Sequence, residues 1–133
     1  MKVHPIISET LLSKYKDTKD YTLFAIGHHK WFNNQGGYPN SFNMNKCKNK
    51  PLLSLMIIAD CLDAATDTVG RSYKAGKTLD DYIEEIKSFS GTRYDPFAVE
   101  LFNDKEIYDG VSFLLSEGRN ENYREAYRVL KNL

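Results

Sequence analysis

The sequence predicts an all-α fold, a compact helical domain of about seven helices. Apolar residues recur at intervals of three and four, and no segment shows the sustained alternation that is typical of a strand. The length of 133 residues suits one domain. With 41% hydrophobic and 27% charged residues, the composition is that of a globular chain rather than a disordered one. We therefore expect residues 1–133 to form a single domain.

Local signals define each predicted helix. Pro5 suits the first turn of the first helix, and Asp20 or Thr22 is the expected cap of the second. Thr78 and Asp81 form a weak capping box. The predicted helices span residues 5–17, 20–32, 51–69, 78–88, 96–102, 104–116 and 120–131, with Glu117, Gly118 and Arg119 separating the last two.

Two adjoining segments differ sharply in character. Residues 33–50 are rich in asparagine and lack periodicity, which predicts a loop. A loop of this length in a compact domain is usually functional or disordered. Residues 51–69 are the most apolar stretch and are predicted to be the buried spine of the domain.

Charge and cysteine content exclude several classes of protein. Eighteen basic residues balance eighteen acidic ones, so a general affinity for DNA, RNA or an anionic membrane is not expected. We see no membrane segment and no signal peptide in the sequence. Cys47 and Cys61 cannot form a disulfide framework or a CxxC zinc site. We therefore expect a cytoplasmic protein with reduced thiols.

Acidic residues are absent from a long central segment. Residues 21–59 contain no Asp or Glu but include four lysines and the pair His28 and His29. This asymmetry indicates a local anion site, although a solvated polar loop is the more common reason for such a run. The histidine pair beside a functional-looking loop indicates a metal site, with two capping or surface histidines as the alternative.

A carboxylate in an apolar run is the second candidate metal ligand. Asp60 directly follows apolar residues, and a carboxylate buried there needs a partner, for which we favour a metal. Asp63 and Asp67 share its helical stripe, with hydrogen bonds to loop amides or to Arg71 as the alternative role. By themselves, His4, Arg71 and Lys74 would be ordinary surface residues.

In order along the chain, these residues form a series of short motifs that resembles the C-terminal part of the HD-GYP family of metal-dependent phosphohydrolases. Each motif is weak alone, and the series covers residues 4–96. The series is His4-Pro5, His28-His29, Gly37-Tyr38-Pro39, Asp60-Cys61-Leu62-Asp63-Ala64-Ala65-Thr66, Arg71-Ser72-Tyr73-Lys74 and Gly91-Thr92-Arg93-Tyr94-Asp95-Pro96. Residues 97–133 would be additional C-terminal helices on a partial HD-domain-like architecture.

The resemblance implies a role for each matched residue. It implies metal ligation for four residues and a catalytic position lining the site for Asp63. It implies binding of substrate phosphates for Arg71 and Lys74, and a loop bordering the substrate pocket for Tyr38. The implied ligands of an iron or manganese site are His4, His28, His29 and Asp60. The implied reaction is hydrolysis of cyclic di-GMP, a bacterial signalling nucleotide.

The sequence also departs from the family pattern. No His-Asp pair occurs anywhere in it, and Lys30 stands where an acid usually follows the histidine pair. We therefore expect the C-terminal portion of a phosphodiesterase, inactive or weakly active in isolation. In the isolated chain the metal site would be either occupied or empty. The alternative is a non-enzymatic helical module that binds a nucleotide or a protein. Expected partners are a cyclic dinucleotide and either a second copy in a homodimer, an HD-containing half or a regulatory domain.

Overall fold

The computed structural model describes residues 2–69 and 75–131, and its regular secondary structure is helical, which confirms the all-α prediction. Within these residues the backbone forms two isolated β-bridges and no strand. The α-helices are α1 (His4–Leu12), α2 (Thr22–Gly27), α3 (Lys50–Thr66), α4 (Leu79–Ser88), α5 (Pro96–Glu100), α6 (Lys105–Phe113) and α7 (Arg119–Lys131).

Helix α3 is the spine around which the core forms, as its apolar sequence indicates. Leu53 is fully buried, and Ile57, Ile58 and Leu62 are nearly so. The core continues through α4 and α5, and the Tyr82 hydroxyl donates to the Ile58 carbonyl oxygen at 3.0 Å. The helix ends at Thr66, three residues before its predicted end.

Capping side chains set the starts of three later helices. Thr78 and Asp81 form the predicted capping box at α4. Asp95 accepts from the Phe97 amide at the start of α5. Asp104 accepts from the Glu106 and Ile107 amides at the start of α6. These side chains satisfy amides that have no partner within their own helix.

The prediction is wrong at several other helix boundaries. Helix α1 ends at Leu12 rather than at residue 17. Helix α2 ends at Gly27 rather than Phe32, and a 3₁₀ turn rather than an Asp20 or Thr22 side-chain cap precedes it. The expected break at residues 117–119 is absent, because a π-helical turn at Leu114–Gly118 joins α6 to α7. Gly118 therefore lies inside a helical backbone and does not end it.

One side of α3 stays uncovered among the described residues. Leu52 is 56% exposed, and Leu55 and Met56 are each 39% exposed. Helices α6 and α7 therefore do not cover this face. None of the described helices combines the length and the apolar character needed to cross a bilayer.

Candidate metal centre

Three histidines from two separate parts of the chain converge on one point. The Nε2 atoms of His4 and His28 lie 3.0 Å apart, and those of His4 and His29 lie 3.2 Å apart. One ring nitrogen from each histidine lies within 4.8 Å of the others. His4 is exposed at the surface, whereas His28 and His29 are half-buried. The cluster is thus open to solvent on one side.

The early end of α2 brings the histidine pair to this point. His4 is the first residue of α1, which packs against α2, and His28 is the residue directly after α2. The His28 Nδ1 lies 2.8 Å from the Ala25 carbonyl oxygen, in the last turn of α2. A carbonyl oxygen only accepts, so Nδ1 carries a proton, and the Nε2 atom of the same ring faces the cluster.

Two glycines let the following loop return to the histidines. Gly37 has a φ of 75°, and a Cβ there would overlap the His29 carbonyl oxygen. A Cβ on Gly36 would overlap the Trp31 ring. The Tyr38 amide then donates to the His29 carbonyl at 3.1 Å, and the Tyr38 ring centroid lies 4.6 Å from that of His29. The loop therefore borders the histidine cluster with an aromatic wall.

Burial and neighbouring charges keep His29 neutral. Desolvation and the adjacent His28 together lower the pKa of His29 to about 4, against the opposing effect of Asp60. Burial, followed by the Asp60 charge, raises the pKa of Tyr38 above its ordinary value. Near neutral pH, therefore, His29 is an uncharged imidazole and Tyr38 an uncharged phenol.

The carboxylates of α3 do not share one environment. Asp60 is exposed, so the expectation that its carboxylate is buried in the apolar run is wrong. It lines the same cavity as the histidines, but its carboxylate does not belong to the cluster of ligand atoms within 4.8 Å that the described residues form. Asp63 accepts from Arg119 Nη2 at 2.8 Å and is not among the cavity-lining residues. Asp67 accepts from the Tyr123 hydroxyl at 3.2 Å. The predicted stripe is thus divided between the cavity and α7.

The cavity beside the histidines has a volume of about 730 Å³, within the usual range for small-molecule sites. Tyr38 lines it, as the resemblance implies. So do Lys30, one of the four lysines of the acid-free segment, and Arg93, for which the sequence suggested no role of its own. Arg93 belongs to the motif Gly91–Pro96, so the sequence did mark this turn as part of the family pattern. A motif match does not indicate whether the Arg93 side chain faces the cavity. Arg71 and Lys74, the predicted phosphate-binding residues, lie outside the described residues.

The donor set of the cluster suits a divalent cation. With the His28 proton on Nδ1, a proton on His4 Nε2 would have to be shared between His28 Nε2 and His29 Nε2 in a bifurcated hydrogen bond. A metal ion would instead accept the lone pairs of all three nitrogens, and imidazole suits iron, manganese and zinc. Metal ligation by His4, His28, His29 and Asp60 and the role of Asp63 remain predictions.

A curated protein of named activity is similar to this chain. No protein-family model and no solved structure matches this chain. A protein of Thermotoga maritima named cyclic di-GMP phosphodiesterase is 33% identical over 114 residues. The alignment covers 82% of this chain but 29% of that protein. The chain is therefore similar to a segment of a cyclic di-GMP phosphodiesterase and spans less than a third of its length.

Proposed function

We propose that this chain contributes the C-terminal part of an HD-GYP-type, metal-dependent phosphodiesterase that acts on cyclic di-GMP. The observation that carries the proposal is the convergence of the His4, His28 and His29 ring nitrogens beside a cavity of ligand size. The similarity to a protein named cyclic di-GMP phosphodiesterase supports the choice of substrate. The ordered motifs of residues 4–96 support the choice of family.

The residues have distinct parts in this proposal. His4, His28 and His29 would hold iron or manganese together with Asp60, and Tyr38 would border the substrate. Bound to these residues, a divalent metal would supply Lewis acidity and a means of activating water for hydrolysis of the phosphodiester. The hydrogen bond between His28 Nδ1 and the Ala25 carbonyl orients the ring, as hydrogen bonds to the second nitrogen of a ligating histidine do in metal sites.

Low activity of the 133 residues alone is part of the proposal. The sequence contains no His-Asp pair, so the bridging carboxylate that the HD doublet supplies in the family is not available from these residues. With fewer ligands, less positive charge can be held where negative charge develops during attack on phosphorus. Turnover of cyclic di-GMP should therefore be far below that of a complete family member.

Metal binding is the direct test. We expect the chain, stripped with a chelator and dialysed, to bind Mn²⁺ or Fe²⁺ in calorimetric titrations. His28→Ala and His29→Ala should each weaken binding by at least about 100-fold, since loss of an outer-shell partner alone costs about 10–100-fold. Asp60→Asn should weaken it less, and the matched control Asp109→Asn on the exposed face of α6 should not change it.

Two results would oppose the proposal. Equal metal affinity in the wild type and both histidine variants would exclude the cluster as the binding site. Rapid Mn²⁺-dependent hydrolysis by the purified chain would show that the HD doublet is dispensable.

The second candidate, a non-enzymatic nucleotide-binding or protein-interaction module, is favoured by the missing doublet. Tight binding of cyclic di-GMP in the presence of chelator, with no hydrolysis after metal is added, would support it.

A further inference from the structure

Cations dominate the charged groups that line the cavity. Four basic side chains, those of Lys2, Lys30, Lys77 and Arg93, line it against two carboxylates, Asp60 and Glu85. Lys77 is neutralised by a direct ion pair with Glu85. The remaining charge is positive, which favours an anionic ligand in a concave, partly desolvated space.

Lys30 is the most unusual of these cations. It is 5% exposed, although lysine is almost never fully buried without a partner. Among residues 2–69 and 75–131, no carboxylate forms an ion pair with it. A β-bridge between Lys30 and Gly37 holds its backbone beside the loop that carries Tyr38. Its stem is packed in the protein and its side chain borders the cavity.

Arg93 lies on a turn that is bonded to the same loop. The Phe32 amide donates to the Arg93 carbonyl oxygen, and the Asn33 amide donates to that of Thr92, each at 3.0 Å. The guanidinium lies 5.0 Å from the centroid of the Tyr94 ring, with Nη2 3.4 Å from Cys61 Sγ. A thiol and an aromatic ring orient the group, and the Glu85 carboxylate, which is itself paired with Lys77, also acts on its charge. No carboxylate in the described part of the chain pairs with this guanidinium.

We propose that Lys30 and Arg93 form a phosphate-binding subsite in the cavity beside the histidine cluster. The guanidinium offers a planar, two-pronged donor to phosphate oxygens, and the ammonium adds a compact charge with three donors. Both are held by packing and backbone hydrogen bonds before a ligand arrives, which reduces the ordering cost of binding. The identity of the ligand as cyclic di-GMP rests on the proposed function, whereas the recognition of phosphate does not.

The test measures binding to the full chain with two probes. Inorganic pyrophosphate is titrated without added metal, and cyclic di-GMP is titrated in the presence of Mn²⁺. We expect Arg93→Gln and Lys30→Met each to weaken binding of both probes by about 10- to 100-fold, as expected for loss of a charge-assisted hydrogen bond. Arg93→Lys should lie between Arg93→Gln and the wild type, because it keeps the charge but loses the planar fork.

Controls separate this role from a structural one. Lys30→Met preserves the buried stem, and all variants should keep the wild-type Mn²⁺ affinity and thermal melting. Arg128→Gln and Lys87→Met remove exposed charges elsewhere and should not change binding of either probe. An equal loss in Arg128→Gln would move the anion to α7 and overturn the subsite.

The outcomes also separate the subsite from the proposed function. Pyrophosphate binding that depends on Lys30 and Arg93, without binding of cyclic di-GMP, would support the subsite and refute the proposed substrate. Cyclic di-GMP binding that neither substitution weakens would support the proposed substrate and overturn the subsite. Failure to bind either probe would overturn the subsite as well.

Discussion

The region that holds the core and the cavity differs from the C-terminal helices in how it is stabilised. From α1 to α5, apolar side chains of α3, α4 and α5 are packed into one core, and backbone hydrogen bonds join the loops beside the cavity. Neither α6 nor α7 contains a buried residue. In the described part of residues 104–131, the side chains packed against the core are the partly buried Val111 of α6 and Leu115 of the π-helical turn.

Polar contacts attach the start of α7 instead. The Arg119 guanidinium donates to the Thr66 carbonyl oxygen at 3.0 Å, to Thr66 Oγ1 at 2.9 Å and to Asp63 Oδ1 at 2.8 Å. A cation at the C-terminus of α3 also opposes the negative end of its dipole. The comparison teaches that burial stabilises the region that carries the candidate site, whereas the C-terminal helices are held to it largely by polar contacts. Besides those of Arg119, these are the hydrogen bonds from Tyr108 to Asp80 and from Tyr123 to Asp67.

A matched pair of leucines tests the largest difference between the two regions. Leu53 is fully buried in α3, whereas Leu130 in α7 is 69% exposed. Leu53→Ala should lower the free energy of unfolding by about 2–5 kcal/mol, because it leaves a cavity in the core. Leu130→Ala should change it by less than about 0.5 kcal/mol. Urea denaturation followed by circular dichroism measures both, and similar losses would show that α7 is packed in solution.

Removal of Arg119 should have an intermediate effect. Arg119→Ala leaves the Thr66 carbonyl and the Asp63 carboxylate without this donor and should cost about 1–3 kcal/mol. The loss should be local, so amide hydrogen exchange should accelerate in 119–131 and stay unchanged in α4. Arg128→Ala, which removes an exposed arginine paired with Glu125, is the control. Faster exchange in α4 would indicate that the two regions unfold together.

Acid should lower the stability of the folded chain through protonation of His29. The pKa of this histidine is about 4 in the folded chain and near 6.5 when unfolded, so the unfolded state binds the proton first. The resulting stability is complete above about pH 6.5 and decreases as the pH falls towards 4. In chelator, the melting temperature of the wild type should therefore drop more between pH 7 and pH 4.5 than that of His29→Gln. Parallel curves would contradict the assigned pKa.

Loss of self-association should change the stability of the folded chain less than any of the substitutions above. We predict a homodimer through the exposed α3 face, because contiguous apolar patches are rarely left open on monomers. Leu55→Glu should convert the dimer to a monomer in sedimentation velocity at micromolar concentration, whereas Leu130→Glu should not. A monomeric wild type would refute the dimer, and dissociation by Leu130→Glu would place the interface on α7.

Local sequence determined the elements that depend on neighbouring residues. The Thr78 and Asp81 box predicts the start of α4 because a cap involves residues three positions apart, and the apolar run of 51–69 predicts α3 because burial follows composition. The paired histidines also indicated a site. Local signals failed at Gly118, which lies inside a π-helical turn, and at the end of α2, where Gly27 meets the side chains of Leu53 and Phe42.

Only the tertiary structure decided which polar residues share an environment. His4 and His28 are 24 positions apart, and packing of α1 on α2 brings their rings together. Asp60 and Asp63 are three positions apart, yet one lines the cavity and the other pairs with Arg119. Lys30 and Arg93 border one cavity because hydrogen bonds join two distant turns. Helical spacing predicts which residues share one face of a helix, but residues distant in the sequence decide what that face contacts.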